Sequence, residues 1–304
     1  MARVPRIQGR AVFGETEWQA LSARQPWRGV LLVAHAWLVI GLAAALAIAV
    51  PNVLTVTLAV LVIGSRQLGL AILMHDAAHG MLATQTRWND LLGQWFCAVP
   101  TGIDLSEYRQ YHLRHHAYAQ QEEDPDLVLS APFPVTRASL ARKVLRDLTG
   151  LTFLKLRVLP FVLALFGRYR LRRSDYLLVG FNVALALLAW SVGLLWAYAL
   201  LWLLPAATWN MLVTRIRNIA EHACMTNDPD PWRVARTTEA NWLARAFVAP
   251  YYVNYHAEHH LFMAVPCYRL PAIHRALVAS GDAASNALPV TRGYAAVLQE
   301  AGSA

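Results

Sequence analysis

The chain has 304 residues, 57% of them apolar and only 15% charged, with a mean hydropathy of +0.34, which excludes an ordinary soluble domain and belongs to a membrane protein. The formal net charge of +8 does not indicate a nucleic-acid partner, because no aromatic-basic platform or binding motif accompanies it. Its Arg-rich patches, at Arg142 to Arg146 and at Arg168 to Arg173, flank apolar stretches and read as contacts with anionic lipid headgroups and as topology signals.

In chain order, residues 1–28 are polar, hold Arg3, Arg6, Arg10, Arg24 and Arg28, and lack the pattern of a cleaved signal peptide. Trp18 and Trp27 are expected at headgroup level. From Gly29 to Gly64 no residue is charged, and Pro51-Asn52 breaks the run. A span needs about 20 residues, so this run predicts two helices, 29–50 and 53–74. A second uncharged run, Tyr176 to Thr214, predicts helices 176–194 and 195–212.

Between the two pairs, residues 75–175 suffice for a helical cap, completed by 213–304. The apolar stretch 148–166 could pass for a fifth span, but Lys155, Arg157 and Pro160 interrupt it, so an interfacial helix is expected. The charged regions then share one side, and their excess of Arg makes that side cytoplasmic, with both termini on it. The expected fold is therefore all-α and integral to a membrane, for a bacterial chain the inner membrane. Four transmembrane helices form two hairpins, and a cytoplasmic helical cap within the same 1–304 domain holds the site.

Nine of the eleven histidines fall in four groups at the edges of these stretches: His75 and His79 in HDAAH; His112, His115 and His116 in HLRHH; His222; and His256, His259 and His260 in HAEHH. Neutral imidazole suits iron, zinc and copper, and nine imidazoles exceed what one ion can hold, so two metal ions are expected. A single zinc would leave most of the set unexplained, and neither HExxH nor paired cysteines occur. His75 and His79 are one helical turn apart. In each trio the first and last histidines share a face and the middle one is rotated, so one helix can serve two neighbouring ions.

Asn218, four residues before His222, offers an amide oxygen as a weak ligand or through a bound water. Asp76, Glu107, Glu221 and Glu258 adjoin the boxes and are expected to accept ring N–H bonds and orient the ligands. Direct ligation by these carboxylates is the alternative, disfavoured because histidines suffice. The acidic run 122–126 reads as a capped turn or a partner for an Arg patch. Cys97, Cys224 and Cys267 stand singly, and Cys224 lies off the face of His222. His35 and His274 are expected to bind no metal. Leu70, Leu73, Met74, Met211 and Thr214 are expected to line a membrane-facing slot beneath the metals.

Zinc neither accepts electrons nor activates dioxygen, so oxidation of an unreactive C–H bond favours two Fe ions, with dioxygen as co-substrate and zinc as an occupant of purified protein. At HDAAH, HLRHH and HAEHH the chain resembles the integral-membrane fatty acid desaturase superfamily, whose HxxxH, HxxHH and HxxHH boxes match, as does NxxxH at Asn218 to His222. HDAAH with Gly80, and Asp124 to Asp126 after the second box, look like the bacterial branch containing the rhizobitoxine-pathway desaturase. The resemblance implies that the nine histidines share two irons, that Asn218 holds a water beside one of them, and that the substrate is lipid-like.

Carotenoid hydroxylases and ketolases share related boxes, and the second box departs from the HxxxHH of many acyl-lipid desaturases, so hydroxylation or ketolation of a carotenoid or other hydrophobic substrate is the alternative. No haem segment or dinucleotide fingerprint occurs, so electrons are expected from an external ferredoxin or cytochrome-type carrier. Such a carrier, if acidic, could dock on the Arg-rich face. A non-enzymatic metal-binding membrane protein would need polar residues along a path across the bilayer, and these spans carry almost none.

Overall fold

Four helices are long and apolar enough to cross a membrane in the computed structural model, which describes residues 3–304: Glu15–Ala49, Val53–Ala78, Arg173–Ser191 and Leu195–His222. The first continues from Pro26, whose missing N–H suits the first turn of a helix. Asn52 opens the second with a reciprocal capping box, its side chain accepting from Thr55 N while the Thr55 hydroxyl faces Asn52 N.

Three of the expected helix ends shift. The third helix stops at Ser191 rather than 194, because Gly193 takes a left-handed φ of 74° and turns the chain. The fourth does not end at 212 but runs on to His222, after a π-turn at Ala199–Leu203 and a break at Thr208 that follows Pro205. The second likewise passes 74, carrying His75 on its last turn.

The Val53–Ala78 helix is the central element: from Ile63 to Ala78 every residue except Ala71 is buried. The first helix packs along it, and Gly29 lies so close to the following loop that a Cβ there would stand 1.7 Å from the Leu82 carbonyl oxygen. The third helix instead turns Val183, Leu187 and Leu188 outward, an apolar surface suited to hydrocarbon surroundings.

Residues 148–166 do not form one straight rod. Helix Arg137–Leu148 and the stretch Leu151–Leu165 meet at 78° around Gly150, whose φ is 78°. Leu151, Leu154, Leu156 and Leu165 are exposed along this stretch, whereas Arg157 turns inward and donates to the carbonyls of Thr101 and Gly102, each at 2.9 Å.

One expectation is corrected. The fold is not purely helical: Thr237–Glu239 and Val290–Arg292 pair in parallel, and Thr237 also bridges Tyr255 just before the last histidine box. Trp18 is half-buried and packs its ring 5.2 Å from Phe262, with Phe13 beside both. Trp27, by contrast, is exposed, with the Arg28 guanidinium over its ring.

Candidate metal centre

Each histidine box sits where a helix ends or begins. His75 lies on the last turn of the central helix and His79 is its C-cap. Gly80, at φ 74°, closes that helix, with Met81 N donating to Asp76 O at 2.9 Å and Gly80 N to Ala77 O at 3.0 Å. Arg109 donates to the carbonyls of Ala77 and Ala78, filling acceptors that the helix end leaves open. HLRHH rides on helix Leu105–Tyr118, whose first turn is capped by Asp104 accepting from Ser106 N and Glu107 N. His222 ends the fourth span, and HAEHH forms its own short helix, His256–Leu261. Tyr251 and Tyr252, both at positive φ, precede that helix, a strained turn held by its surroundings.

The nine histidines gather into two groups. His75, His79, His112, His116 and His259 form one, and His115, His222, His256 and His260 the other; within each, one nitrogen per ring lies within 4.8 Å of all the rest. Both trios divide as their spacing predicts: His112 and His116 serve one group and His115 the other, while His256 and His260 serve one group and His259 the other.

In the four-histidine group, Nε2 of His115 stands 3.1 Å from that of His222 and 3.3 Å from that of His260, and His256 Nε2 lies 2.9 Å from His222 and 3.1 Å from His260. Nitrogens bound at about 2.1 Å to one ion stand roughly 3 to 3.4 Å apart, so the spacing fits a shared metal. In the five-histidine group, His116 Nε2 lies 3.0 Å from both His112 and His259.

Hydrogen bonding to two of the far ring nitrogens turns their Nε2 atoms toward each other. His115 Nδ1 donates to Asp124 at 2.8 Å, and His222 Nδ1 donates to the Val234 carbonyl at 2.9 Å. The Nε2 atoms of His115 and His222 then stand 3.1 Å apart, a spacing that a shared metal ion between them would satisfy.

Most of the cluster resists charging. Burial, followed by the mutual field of the cluster, holds His112, His116, His256, His259 and His260 far below the ordinary imidazole range, and burial takes His79 down to about 3. His75 Nε2, His79 Nε2 and His116 Nδ1 are buried without a hydrogen-bond partner. Neutral, converging imidazoles with orphaned nitrogens fit metal ions in both groups.

Of the four carboxylates expected to orient ligand rings, the structure brings one into position. Glu221 Oε1 lies 3.4 Å from His256 Nδ1 and accepts from Arg217 at 2.5 Å. Asp76 instead accepts from Cys267 N at 3.0 Å, with His75 Nδ1 3.9 Å away. Glu258 turns from its neighbouring histidines to Thr237 and to His274, the latter at 2.5 Å. Glu107 is exposed and accepts from Ser174 at 3.3 Å, far from the role expected of it.

Asp124, read from the sequence as part of a capped turn or a partner for an Arg patch, is the carboxylate on His115. It also accepts from Gln120 N and Asp126 N, so the turn and the ligand contact are one device. The spacing of His115 and Asp124 across the turn at 119–123 was the available signal. His35 bonds Tyr251 at 3.1 Å, and neither it, His274 nor Cys224 belongs to either histidine group.

A cavity of about 210 Å³ opens beneath the centre. His112, His115, His222 and His256 line it together with Asn218, Met74 and Thr214, and Tyr108, Arg217 and Glu221 make part of its wall polar. Met211 lines a neighbouring cavity of about 200 Å³. Leu70 and Leu73, expected in the slot, are fully buried in the core instead, because their helix faces inward all round at that level.

Residues 51–290 match the fatty acid desaturase family, and the chain belongs to that family. Among curated relatives it is 29% identical over 228 residues to the dihydrorhizobitoxine desaturase of Bradyrhizobium elkanii, covering 70% of this chain and 65% of that protein. It is 28% identical over 206 residues to the zeaxanthin 4-ketolase of Chlamydomonas reinhardtii, covering 67% of this chain and 40% of the ketolase. It is also 27% identical to the beta-carotene ketolase of a Paracoccus strain, over 67% of this chain and 72% of that protein. The chain thus spans less than two thirds of the first two relatives.

Proposed function

We propose that this chain is a membrane-bound, oxygen-dependent di-iron desaturase that introduces a double bond into a lipid-like hydrocarbon chain, with electrons from an external ferredoxin or cytochrome-type carrier. The observation that carries the reading is the gathering of nine ring nitrogens into two groups, with Nε2 atoms of His115, His222, His256 and His260 about 3 Å apart in one of them. Two irons held there would supply dioxygen reduction and abstraction of hydrogen from unactivated carbon.

The residues of the chain set the conditions for that chemistry. Asp124, the Val234 carbonyl and Glu221 hold the His115, His222 and His256 rings with Nε2 turned inward. Asn218 faces the same cavity and would hold a water or weak ligand at its edge. Met74, Leu68 and Ala71 give the substrate an apolar wall beneath the histidines and keep bulk water from the reacting carbon.

The Arg excess outside the spans supports a cytoplasmic site with both termini on that side of a bacterial inner membrane. Arg142, Arg146, Arg170 and Arg172 are exposed there and would meet an acidic electron carrier.

Ketolation is the second reading, favoured by the ketolases among the relatives. Mass spectrometry of hydrophobic metabolites from cells carrying the wild type or His260→Ala decides between them. Loss of two hydrogens only with the wild type is the expected result. Gain of oxygen would establish hydroxylation or ketolation, and no difference would refute an oxidative enzyme.

A further inference from the structure

The helix that ends in His222 turns a polar stripe to the cavity beneath the histidines. Thr214, Arg217 and Asn218, at i, i+3 and i+4, share one face of that helix, and all three line the cavity together with His222 and His256. The central helix supplies an apolar wall, with Leu68, Ala71 and Met74 spaced three residues apart. The cavity is therefore two-sided, a lining that a plain hydrocarbon chain does not require.

Arg217 is the charged member of the stripe, and its fork is only partly used. Nε donates to Glu221 Oε1 at 2.5 Å, while Nη1 and Nη2 bond no group among the described residues. They are not sealed off: 15% of the side chain is exposed, and neither nitrogen is among the buried polar atoms without a partner. The Tyr108 hydroxyl, on the same cavity, is likewise open and unbonded among the described residues, with its ring stacked 5.2 Å from His112. Two terminal nitrogens of a planar guanidinium are matched best by an oxyanion that accepts two parallel bonds.

The fork lies close to the histidines. Glu221 Oε1, which accepts from Arg217, is 3.4 Å from Nδ1 of His256, a ring of the four-histidine group. An acid on Nη1 and Nη2 would set the carbons next to its carboxylate beneath that group. The cavity of about 210 Å³ takes about seven water-sized groups, room for a short acid. Neutral imidazoles would leave the charge of two bound ions uncompensated, which outweighs Asp124 and Asp126 and favours an anion.

We propose that Arg217, with Tyr108 on the same cavity, forms a carboxylate-binding site, and that the substrate is a short amphipathic acid whose carbons nearest the carboxylate meet the histidine groups. This deepens the enzymatic reading above and rests on it. The carboxylate accepts from Nη1 and Nη2 of Arg217, with the Tyr108 O–H as a further donor, and its carbons lie along Leu68, Ala71 and Met74. A long acyl chain reacting far from its carboxyl end would leave the open side of Arg217 facing hydrocarbon.

The test is equilibrium binding of hexanoate and of hexanamide, at about pH 7.5, to the full-length, metal-loaded protein in phosphatidylcholine nanodiscs, with empty nanodiscs subtracted. The two probes match in length and differ in charge. The wild type should bind hexanoate about tenfold more tightly, and Arg217→Gln with both metals in place should bring the ratio to about one. Equal binding by the wild type overturns the proposal. A preference kept in Arg217→Gln also overturns it, by assigning the carboxylate to the metal ions instead.

If the variant loses metal or does not fold, arginine modification of the wild type decides. Butanedione should label Arg217, and saturating hexanoate, but not hexanamide, should protect it, as read by peptide mass. Labelling that hexanoate leaves unchanged, or an Arg217 that butanedione never reaches, overturns the proposal.

The metabolite that separates wild-type cells from His260→Ala cells should be an acid. A neutral metabolite would overturn the substrate assignment and leave the oxidative enzyme standing. Hexanoate preference in a protein that changes no metabolite would instead refute the enzymatic reading and leave the carboxylate site standing.

Discussion

Asp124 Oδ1 lies 2.8 Å from His115 Nδ1, with both side chains buried. The same carboxylate accepts from Gln120 N and Asp126 N. Burial pushes its acidity down, but the His115 bond and these backbone N–H groups outweigh burial and hold it below the ordinary carboxylate range. Asp124→Asn would set an amide NH₂ against one of these donors and loosen the His115 ring. We expect affinity for one of the two metals to fall by about 10- to 100-fold while the other is retained. Competition with a chelator should show two separated affinities, where the wild type shows two strong ones.

Glu107 provides the contrasting case. It is closer in sequence to the second box than Asp124 is, yet it faces out toward Ser174. Glu107→Gln should leave metal content unchanged within error and shift stability by less than about 0.5 kcal/mol. Loss of metal from this variant would mean that Glu107 reaches a ligand ring after all.

These two residues show what the sequence makes legible. Histidine spacing on a helix fixes which rings share a face, so the division of both trios between the two groups follows from i, i+3, i+4 counting. The partners of those rings do not follow from adjacency. A residue next to a ligand on a helix points about 100° away from it, which sends Asp76 to Cys267 and Glu258 to His274. Asp124 reaches His115 only because the chain doubles back, and backbone carbonyls such as Val234 leave no mark in the side-chain pattern.

His274 offers a pH test away from the histidine groups. Its hydrogen bond to Glu258 outweighs burial and raises its pKa above the ordinary value. A raised folded-state pKa gives stability that is full below about pH 6.5 and is lost as pH climbs through the raised value. His274→Gln should therefore lower Tm most near pH 6, by the equivalent of roughly 1 to 2 kcal/mol, and progressively less toward alkaline pH. A pH-independent difference would contradict a charged His274 in the folded protein.

Close packing of the first span on the loop after the central helix depends on Gly29. A Cβ there meets the Leu82 carbonyl at 1.7 Å, and backbone cannot swing aside as a side-chain tip can. Gly29→Ala should destabilise the protein by about 1 to 3 kcal/mol, read as a lower Tm in detergent, while Gly41→Ala, where the added carbon meets open space, should not.

The spans were legible because uncharged runs of their length have few other uses, and Asn52 and Gly193 mark turns by their chemistry. Their far ends were not, since both box-bearing helices run beyond the apolar run to deliver His75 and His222. The paired strands at 237–239 and 290–292 are three residues each, too short to display a period of two.

The central claim is that nine histidines hold two ions in separate groups, and metal stoichiometry tests it most directly. Fully loaded wild type should contain two metals per chain by elemental analysis. His222→Ala, which removes a ligand from the four-histidine group, should weaken one site, and His79→Ala, in the five-histidine group, should weaken the other. One metal per chain in fully loaded wild type, or loss of the same ion in both variants, would contradict the account.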